Sequence, residues 1–317
     1  MTKFTHILFS IAFLFLLAAC SSSSGGSSSQ NLGTPISEDE FLQSITTGVY
    51  RITADMDLPD VSFDVAGSTV NISASAKSHQ AISLTVNSTT SAIYDACDLQ
   101  GPTSSNLSDD VVDPGVPGVT SCTQSYYKVS DTHLQMKYSC TQSDTGTPTE
   151  FVVDAVRLSD NPAFNLGSLS LDFSSAAYPD ANESTGVCGS MVTSSSVTTI
   201  TPPLPDQGNS STSETSIDLV APYDTDKRVM LEMTFSTDSL VADTYDVEQY
   251  PVFTSDRQVT VTVLSAAYGG TVTSPETLTA TGGTVIIDSV SSLSISGTYN
   301  VDIGTGTLSG SFSLDLR

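Results

Sequence analysis

The sequence predicts an all-β protein: antiparallel β-sandwich or barrel-like domains with one short N-terminal helix. Three observations predict it. Apolar and polar side chains alternate through most of the chain, the period of a strand with one buried face. Lys and Glu are scarce while Ser, Thr, Val and Gly are abundant, which favours strands over helices. The clearest alternation lies near the C-terminus, where Leu293, Ile295, Gly297, Tyr299, Val301 and Ile303 are interleaved with Ser294, Ser296, Thr298, Asn300 and Asp302.

Taken in order, the chain opens with Lys3 and a run from Ile7 to Ala19 that is apolar except for Ser10. A bilayer-spanning helix needs about 20 apolar residues, so residues 1–19 read as an export signal. The run ends in Leu17-Ala18-Ala19-Cys20, which resembles the lipobox of bacterial lipoproteins. The resemblance implies that Cys20 is acylated and becomes the new N-terminus. It also implies two or three acyl chains, enough for permanent attachment to a membrane. Ser21, where inner-membrane members of that family carry Asp, implies the outer membrane. Residues 20–34 read as a flexible tether, rich in Ser and Gly, with a reach of roughly 20 Å.

A disulfide-containing β domain is expected over residues 35–200. Ser37-Glu38-Asp39-Glu40 fits a capping box and starts a helix that puts Phe41 and Ile45 on one face. Tyr50, Ile52, Ala54 and Met56 then mark a strand, as do Val70, Ile72, Ala74 and Ala76. A turn is expected near Lys77-Ser78-His79, before a third strand through Ile82, Leu84 and Val86. Leu99 to Thr120 reads as an acidic loop, Cys122 to Cys140 as a hairpin, and Phe151–Leu158 and Leu166–Phe173 as strands. Pro202, Pro203, Pro205 and the Ser/Thr-rich run to Ser216 read as a linker over 201–216.

A C-terminal β-meander is expected over residues 217–317. Matching faces across its last hairpin sets Ile303 opposite Leu308, Tyr299 opposite Phe312, Gly297 opposite Leu314 and Gly310 opposite Val301. Its Ile-Ser-Gly-Thr-Tyr and Leu-Ser-Gly-Ser-Phe segments resemble the terminal meander of many bacterial envelope lipoproteins of unknown function, a resemblance that implies no activity.

Four cysteines remain after Cys20, an even number in an exported chain, which suggests two disulfides among three possible connectivities. A three-residue loop at Ser130-Asp131-Thr132 pairs Val129 with His133, Tyr126 with Met136 and Cys122 with Cys140. That favours Cys122–Cys140 and Cys97–Cys188. A zinc site is the alternative, against which no Cys-x-x-Cys spacing occurs.

Function is read mostly by exclusion. The formal charge of −25 repels phosphate backbones, so nucleic-acid binding is rejected. Neither His79 nor His133 sits in a catalytic pattern, and both are expected to be solvated. There is no Gly-x-Ser-x-Gly elbow, no phosphate-binding loop and no dinucleotide fingerprint. Ser125-x-x-Lys128 matches a catalytic tetrapeptide, but it falls in a strand. No cofactor is implied, save that Ca²⁺ is a candidate at Asp109, Asp110 and Asp113, with Asp55, Asp57, Asp60, Asp224 and Asp226 in other loops; none has EF-hand spacing. Sugar platforms favour Trp, of which there is none, although 11 tyrosines could serve.

The expectation is a non-enzymatic protein of the outer membrane, lipid-anchored, with a binding, adhesion or structural role toward a protein or glycan partner. The alternatives are a periplasm-facing accessory subunit of an envelope assembly and, less favoured, a hydrolase.

Overall fold

The structure is a computed structural model that describes residues 31–65, 67–88, 91–106, 119–142, 148–175, 180–201, 209–224, 226–249, 255–267 and 275–317. The first half comprises β1 (Thr34–Ile36), α1 (Glu38–Ser44), β2 (Gly48–Val65), β3 (Ser68–Ser88), β4 (Ser91–Asp95), β5 (Thr103–Asn106), β6 (Val119–Ser130), β7 (His133–Gln142) and β8 (Pro148–Ser159). Next come β9 (Gly167–Phe173), β10 (Ala181–Glu183), β11 (Cys188–Thr201), β12 (Ser210–Asp224) and β13 (Lys227–Phe235). The chain ends with β14 (Thr244–Val247), β15 (Gln258–Ala267), β16 (Glu276–Thr279), β17 (Gly282–Ser291), β18 (Ser294–Asp302) and β19 (Thr307–Asp315).

The all-β class holds, with a single short helix among the described residues. One hydrogen-bonded ladder runs β1-β6-β7-β8-β2-β3-β11-β12-β13-β15-β14-β17-β18-β19-β9-β10, with β4 and β5 added beside β3 and β16 beside β15. Every described pairing is antiparallel except β14–β15. Alternation along the middle strands feeds two cores. Tyr50, Ile52 and Ala54 of β2 point toward Phe41, Ile82, Leu134, Met136 and Val153. Val49 on the same strand joins Cys188, Leu219, Leu231, Phe235, Tyr299 and Phe312 in the larger core.

α1 forms as its capping box predicts. Ser37 Oγ accepts the amide of Glu40 at 3.2 Å, and the Ser37 amide donates back to Glu40 Oε2 at 3.1 Å. Phe41 lies against Tyr126 with ring centroids 4.8 Å apart, so the helix closes one end of the smaller core.

Three expectations are corrected. β3 does not turn at Lys77-Ser78-His79; it continues through them, laddered to β2 on one side and β11 on the other. Lys77 and His79 are accommodated by partners from β2: Lys77 reaches Asp55 at 3.0 Å, and His79 Nδ1 meets Thr53 Oγ1 at 2.9 Å, while Ser78 is buried with its hydroxyl unpaired among the described residues. Secondly, Ser210–Ser216 lie within β12 rather than in a linker, paired to β11 and, from Thr215, to β13. Hydroxyls bond across these strands, Ser196 to Thr212 at 2.7 Å and Ser216 to Thr234 at 3.2 Å, so the Ser/Thr run is a ladder of paired side chains. The larger core also draws on both sides of the expected boundary, from Val49 and Ala81 to Phe312 and Leu316.

The third correction concerns the last hairpin. The expected faces are kept, but the register is slipped by two: Val301 pairs with Leu308, Tyr299 with Gly310 and Gly297 with Phe312. Ile303 leaves the ladder to start the turn, its amide donating to Gly306 O at 3.0 Å, with Gly304 at φ 76°. Each glycine now faces an aromatic ring. A Cβ on Gly297 would stand 2.9 Å from Phe312 Cζ, and one on Gly310 2.7 Å from the Tyr299 hydroxyl. By contrast, the β6–β7 register holds at Tyr126–Met136 and Cys122–Cys140, although the turn tightens to pair Ser130 with His133 and absorbs Val129 in a bulge.

Candidate functional site

The described residues enclose a cleft of about 620 Å³ between the β3–β4 edge and the β12–β13 hairpin. Its size suits a small molecule. Ser83 and Thr85 of β3, Ile93 and Asp95 of β4, Phe164, and Lys227 and Arg228 of β13 contribute to the walls, with Pro102, Pro162 and Pro222 between them.

Strand alternation places the key side chains. Val229, Leu231, Met233 and Phe235 face the larger core, so Arg228 must face the other way, toward β4. Asp95 ends β4 and turns its carboxylate inward. Arg228 Nη1 donates to Asp95 Oδ1 at 2.8 Å and to Asp98 O at 2.9 Å, while Nη2 donates to Asp95 Oδ2. Both partners are buried. Asp95 Oδ1 also accepts the amide of Cys97 at 3.0 Å, and Asp98 Oδ1 accepts those of Gln100 and Gly101, which shapes the turn between β4 and β5. Cys97 is the one described non-glycine residue at positive φ, 56°, and its disulfide to Cys188 ties the turn to the start of β11.

The opposite wall is held as firmly. Ser83 Oγ donates to Pro162 O, and the Gly186 amide donates to Phe164 O at 3.0 Å. Gly186 has φ 74°, and a Cβ there would press within 2.8 Å of Pro222 Cγ, so glycine is what lets this proline form a wall. Burial pushes the Asp98 carboxyl above its usual range, and Asp95 beside it adds to that; its backbone bonds and Arg228 pull the other way.

A second group of titratable residues lies on the same face. Asp218 and Glu232 sit directly across the β12–β13 ladder, and Asp218 Oδ2 accepts Ser190 Oγ at 3.0 Å. Burial first, and Asp218 second, push Glu232 up to about 7. Unfolded, Glu232 releases its proton near about 4.3. Between that pH and about 7 the folded chain binds more protons, so this group's contribution to stability falls as pH rises and levels off above about 7. Glu232→Gln is expected to stabilise the protein at pH 8 by about 1–2 kcal/mol, after allowance for solvent screening, and to give no gain at pH 4. Calorimetric melts at both pH values check this; an equal gain at both contradicts it.

The predicted site residues fare unevenly. Cys97 and Cys188 form the expected bridge, with 5.9 Å between Cα atoms. Cys122 and Cys140 face each other across β6–β7, and Cys140 is disulfide-bonded; the Cys122 side chain lies outside the described residues. Cys20 and the calcium candidates Asp109, Asp110 and Asp113 also lie outside them. Among the described residues no group of three His, Cys, Asp or Glu could hold a metal ion.

The histidine expectation is corrected for His79. It is buried in mid-strand, and burial, then Lys77 and Arg51, lower it to about 4. His133 does end a hairpin, but its Nε2 lies 2.6 Å from Asp154 Oδ1, which Gln135 also contacts. Lys128 pairs with Asp131 at 2.7 Å. Tyr50, Tyr94, Tyr138, Tyr245 and Tyr299 are buried, so none of these five offers a sugar platform. Comparison with family models, curated proteins and solved structures found no match.

Proposed function

We propose that the chain is a lipoprotein, acylated at Cys20 and held at the outer membrane, that captures a small molecule without transforming it. The cleft between β4 and β13 carries this reading. Its volume fits a ligand of modest size. Part of its polar lining is already committed to structure, with Asp95 bound to Arg228 and Ser83 to a carbonyl. Such walls are preorganised to hold a ligand, since little ordering remains to be done on binding. A Ser/Gly tether fits the same reading, because it lets the folded part turn its cleft toward the medium.

The test is a thermal-shift screen of the detergent-solubilised full chain against sugars, amino acids and organic acids. A ligand at 100 times its Kd is expected to stabilise the protein by about 2.7 kcal/mol. Thr85→Trp fills the cleft from β3 and should abolish that shift. An unresponsive panel, or an undiminished shift in the variant, contradicts the reading.

A further inference from the structure

One end of the fold is set apart by its charge. The chain holds 10 Lys and Arg against 35 Asp and Glu. From Cys20 to Ser37, however, no residue is charged, and Val119–Gln142, which spans β6 and β7, holds two lysines and a single acid, Asp131. Around this hairpin the acids are matched. Asp131 pairs with Lys128 at 2.7 Å, Glu150 with Lys137 at 2.8 Å and Asp160 with Arg157 at 3.2 Å, while Asp154 Oδ1 lies 2.6 Å from His133 Nε2. Glu38, Asp39 and Glu40 begin α1, which packs through Phe41 on Tyr126, on the face of β6 opposite Tyr127.

The described chain also enters the fold here. The Gly33 amide donates to Gln135 Oε1 at 2.9 Å, and a Cβ on Gly33 would stand 2.5 Å from Lys128 O, so the backbone before β1 lies directly against the hairpin. β1 is antiparallel to β6, with Thr34 opposite Lys128 and Pro35 opposite Tyr127. Followed back toward Cys20, the chain therefore leaves β1 in the direction of the β6–β7 turn. At that turn Val129 is 46% exposed, with Tyr127 half-buried and Pro35 exposed beside it. A lone exposed valine is ordinary. This one stands where the tether joins the fold.

We propose that the β6–β7 tip, through Val129, Lys128 and Tyr127, rests in the headgroup layer of the bilayer that carries the acyl chains. This rests on the reading that Cys20 is acylated. Cys20 and Gly33 are 13 positions apart, a reach of roughly 20 Å, so this end of the fold is held nearest the membrane. An acidic surface is repelled by anionic lipid, and the uncharged tether with its charge-matched hairpin is where that repulsion is least. Tyrosine and lysine both suit the boundary, since each has an apolar body and a polar tip. The contact is too small to hold the protein alone. The acyl chains supply attachment, and at the effective concentration that a short tether sets, a weak contact is enough to select one orientation.

The chain has no Trp, so a single substitution gives a clean optical probe. Val129→Trp, Val197→Trp and Val241→Trp are compared in the full chain, expressed with its leader and reconstituted into vesicles of phosphatidylethanolamine and phosphatidylglycerol. All three valines are exposed, so each site accepts the larger ring, and the preference of Trp for interfaces is common to all. Emission from Val129→Trp is expected to shift to the blue on reconstitution. Lipids brominated on their acyl chains should quench it about twofold or more as strongly as they quench the other two. Ser130→Trp, the next residue of the exposed turn, is a second probe and should respond in the same direction. Vesicle flotation, run alongside, separates the two readings. A chain that does not float contradicts acylation and, with it, this inference. A chain that floats while Val129→Trp is quenched no more than the other variants overturns the docking and leaves acylation standing. A blue shift without bromine quenching shows that protein rather than lipid covers the tip, and overturns the docking as well.

Discussion

Replacing Arg228 by Met is expected to destabilise the protein by about 3–5 kcal/mol, the usual penalty for breaking a buried ion pair from one side. The reason lies in what is left behind. Asp95 is buried and gives both carboxylate oxygens to the guanidinium. Without Arg228 it keeps, among the described residues, only the amide of Cys97, and the carbonyl of Asp98 loses this donor as well. A buried acceptor stripped of its partner carries its desolvation penalty uncompensated. The paired replacement, Asp95→Leu with Arg228→Met, removes both charges. It is expected to recover at least half of the loss, because an apolar pair of similar volume often equals a buried ion pair. Urea titrations of the wild type, both single variants and the double variant measure this. Single losses below about 1 kcal/mol, or strictly additive ones, contradict the account of the pair.

The second large effect is expected on removing the Cys97–Cys188 bridge. The cysteines are 91 residues apart, and closing a loop of that length in the unfolded chain corresponds to about 4–5 kcal/mol. A cross-link at Cys122–Cys140 inside that loop would trim the figure somewhat. Cys97→Ala with Cys188→Ala should therefore lower the melting temperature by roughly 10 °C. The loss should also reach the cleft. The bridge anchors the turn whose Asp98 carbonyl receives Arg228, so its removal loosens the wall that carries the ion pair. Ligand affinity is thus expected to fall together with stability. A double variant that melts within 2 °C of the wild type would show that the strand ladder alone fixes this turn.

Much of the architecture was legible because one physical rule dominates it. Period-two alternation decides which side chains face a core, and Val229, Leu231, Met233 and Phe235 are buried on one face accordingly. The capping box likewise acts over four residues and was readable from them. Register was harder. Alternation fixes a strand's faces but not its exact partner, so a slip of two residues in the last hairpin leaves every face correct while the glycine–aromatic pairs change. Lys77-Ser78-His79 read as a turn because its polarity was judged without Asp55 and Thr53, which come from another strand. The Ser/Thr run after Pro205 read as a linker for a similar reason: its hydroxyls find partners only across the ladder.

The cleft could not be read in advance. Asp95 and Arg228 are 133 residues apart, and no local spacing joins them. They meet because β4 adds to the second half of β3, β11 adds to the first, and β12 and β13 follow in the ladder. One signal was available. Arg228 and Glu232 fall on the polar side of a strand whose other face is apolar from Val229 to Phe235, in a chain with few cations. That marks a charged residue held against a sheet, though it does not name the partner.

The most direct test of the central claim is hydrogen–deuterium exchange on the detergent-solubilised full chain, with and without the strongest ligand from the thermal-shift screen. The account predicts slowed exchange in the backbone around Ser83–Thr85, Ile93–Asp95, Ala163–Phe164 and Lys227–Arg228, with α1 and the β18–β19 hairpin unchanged. Protection confined to other elements, or none at a saturating ligand concentration, would contradict it.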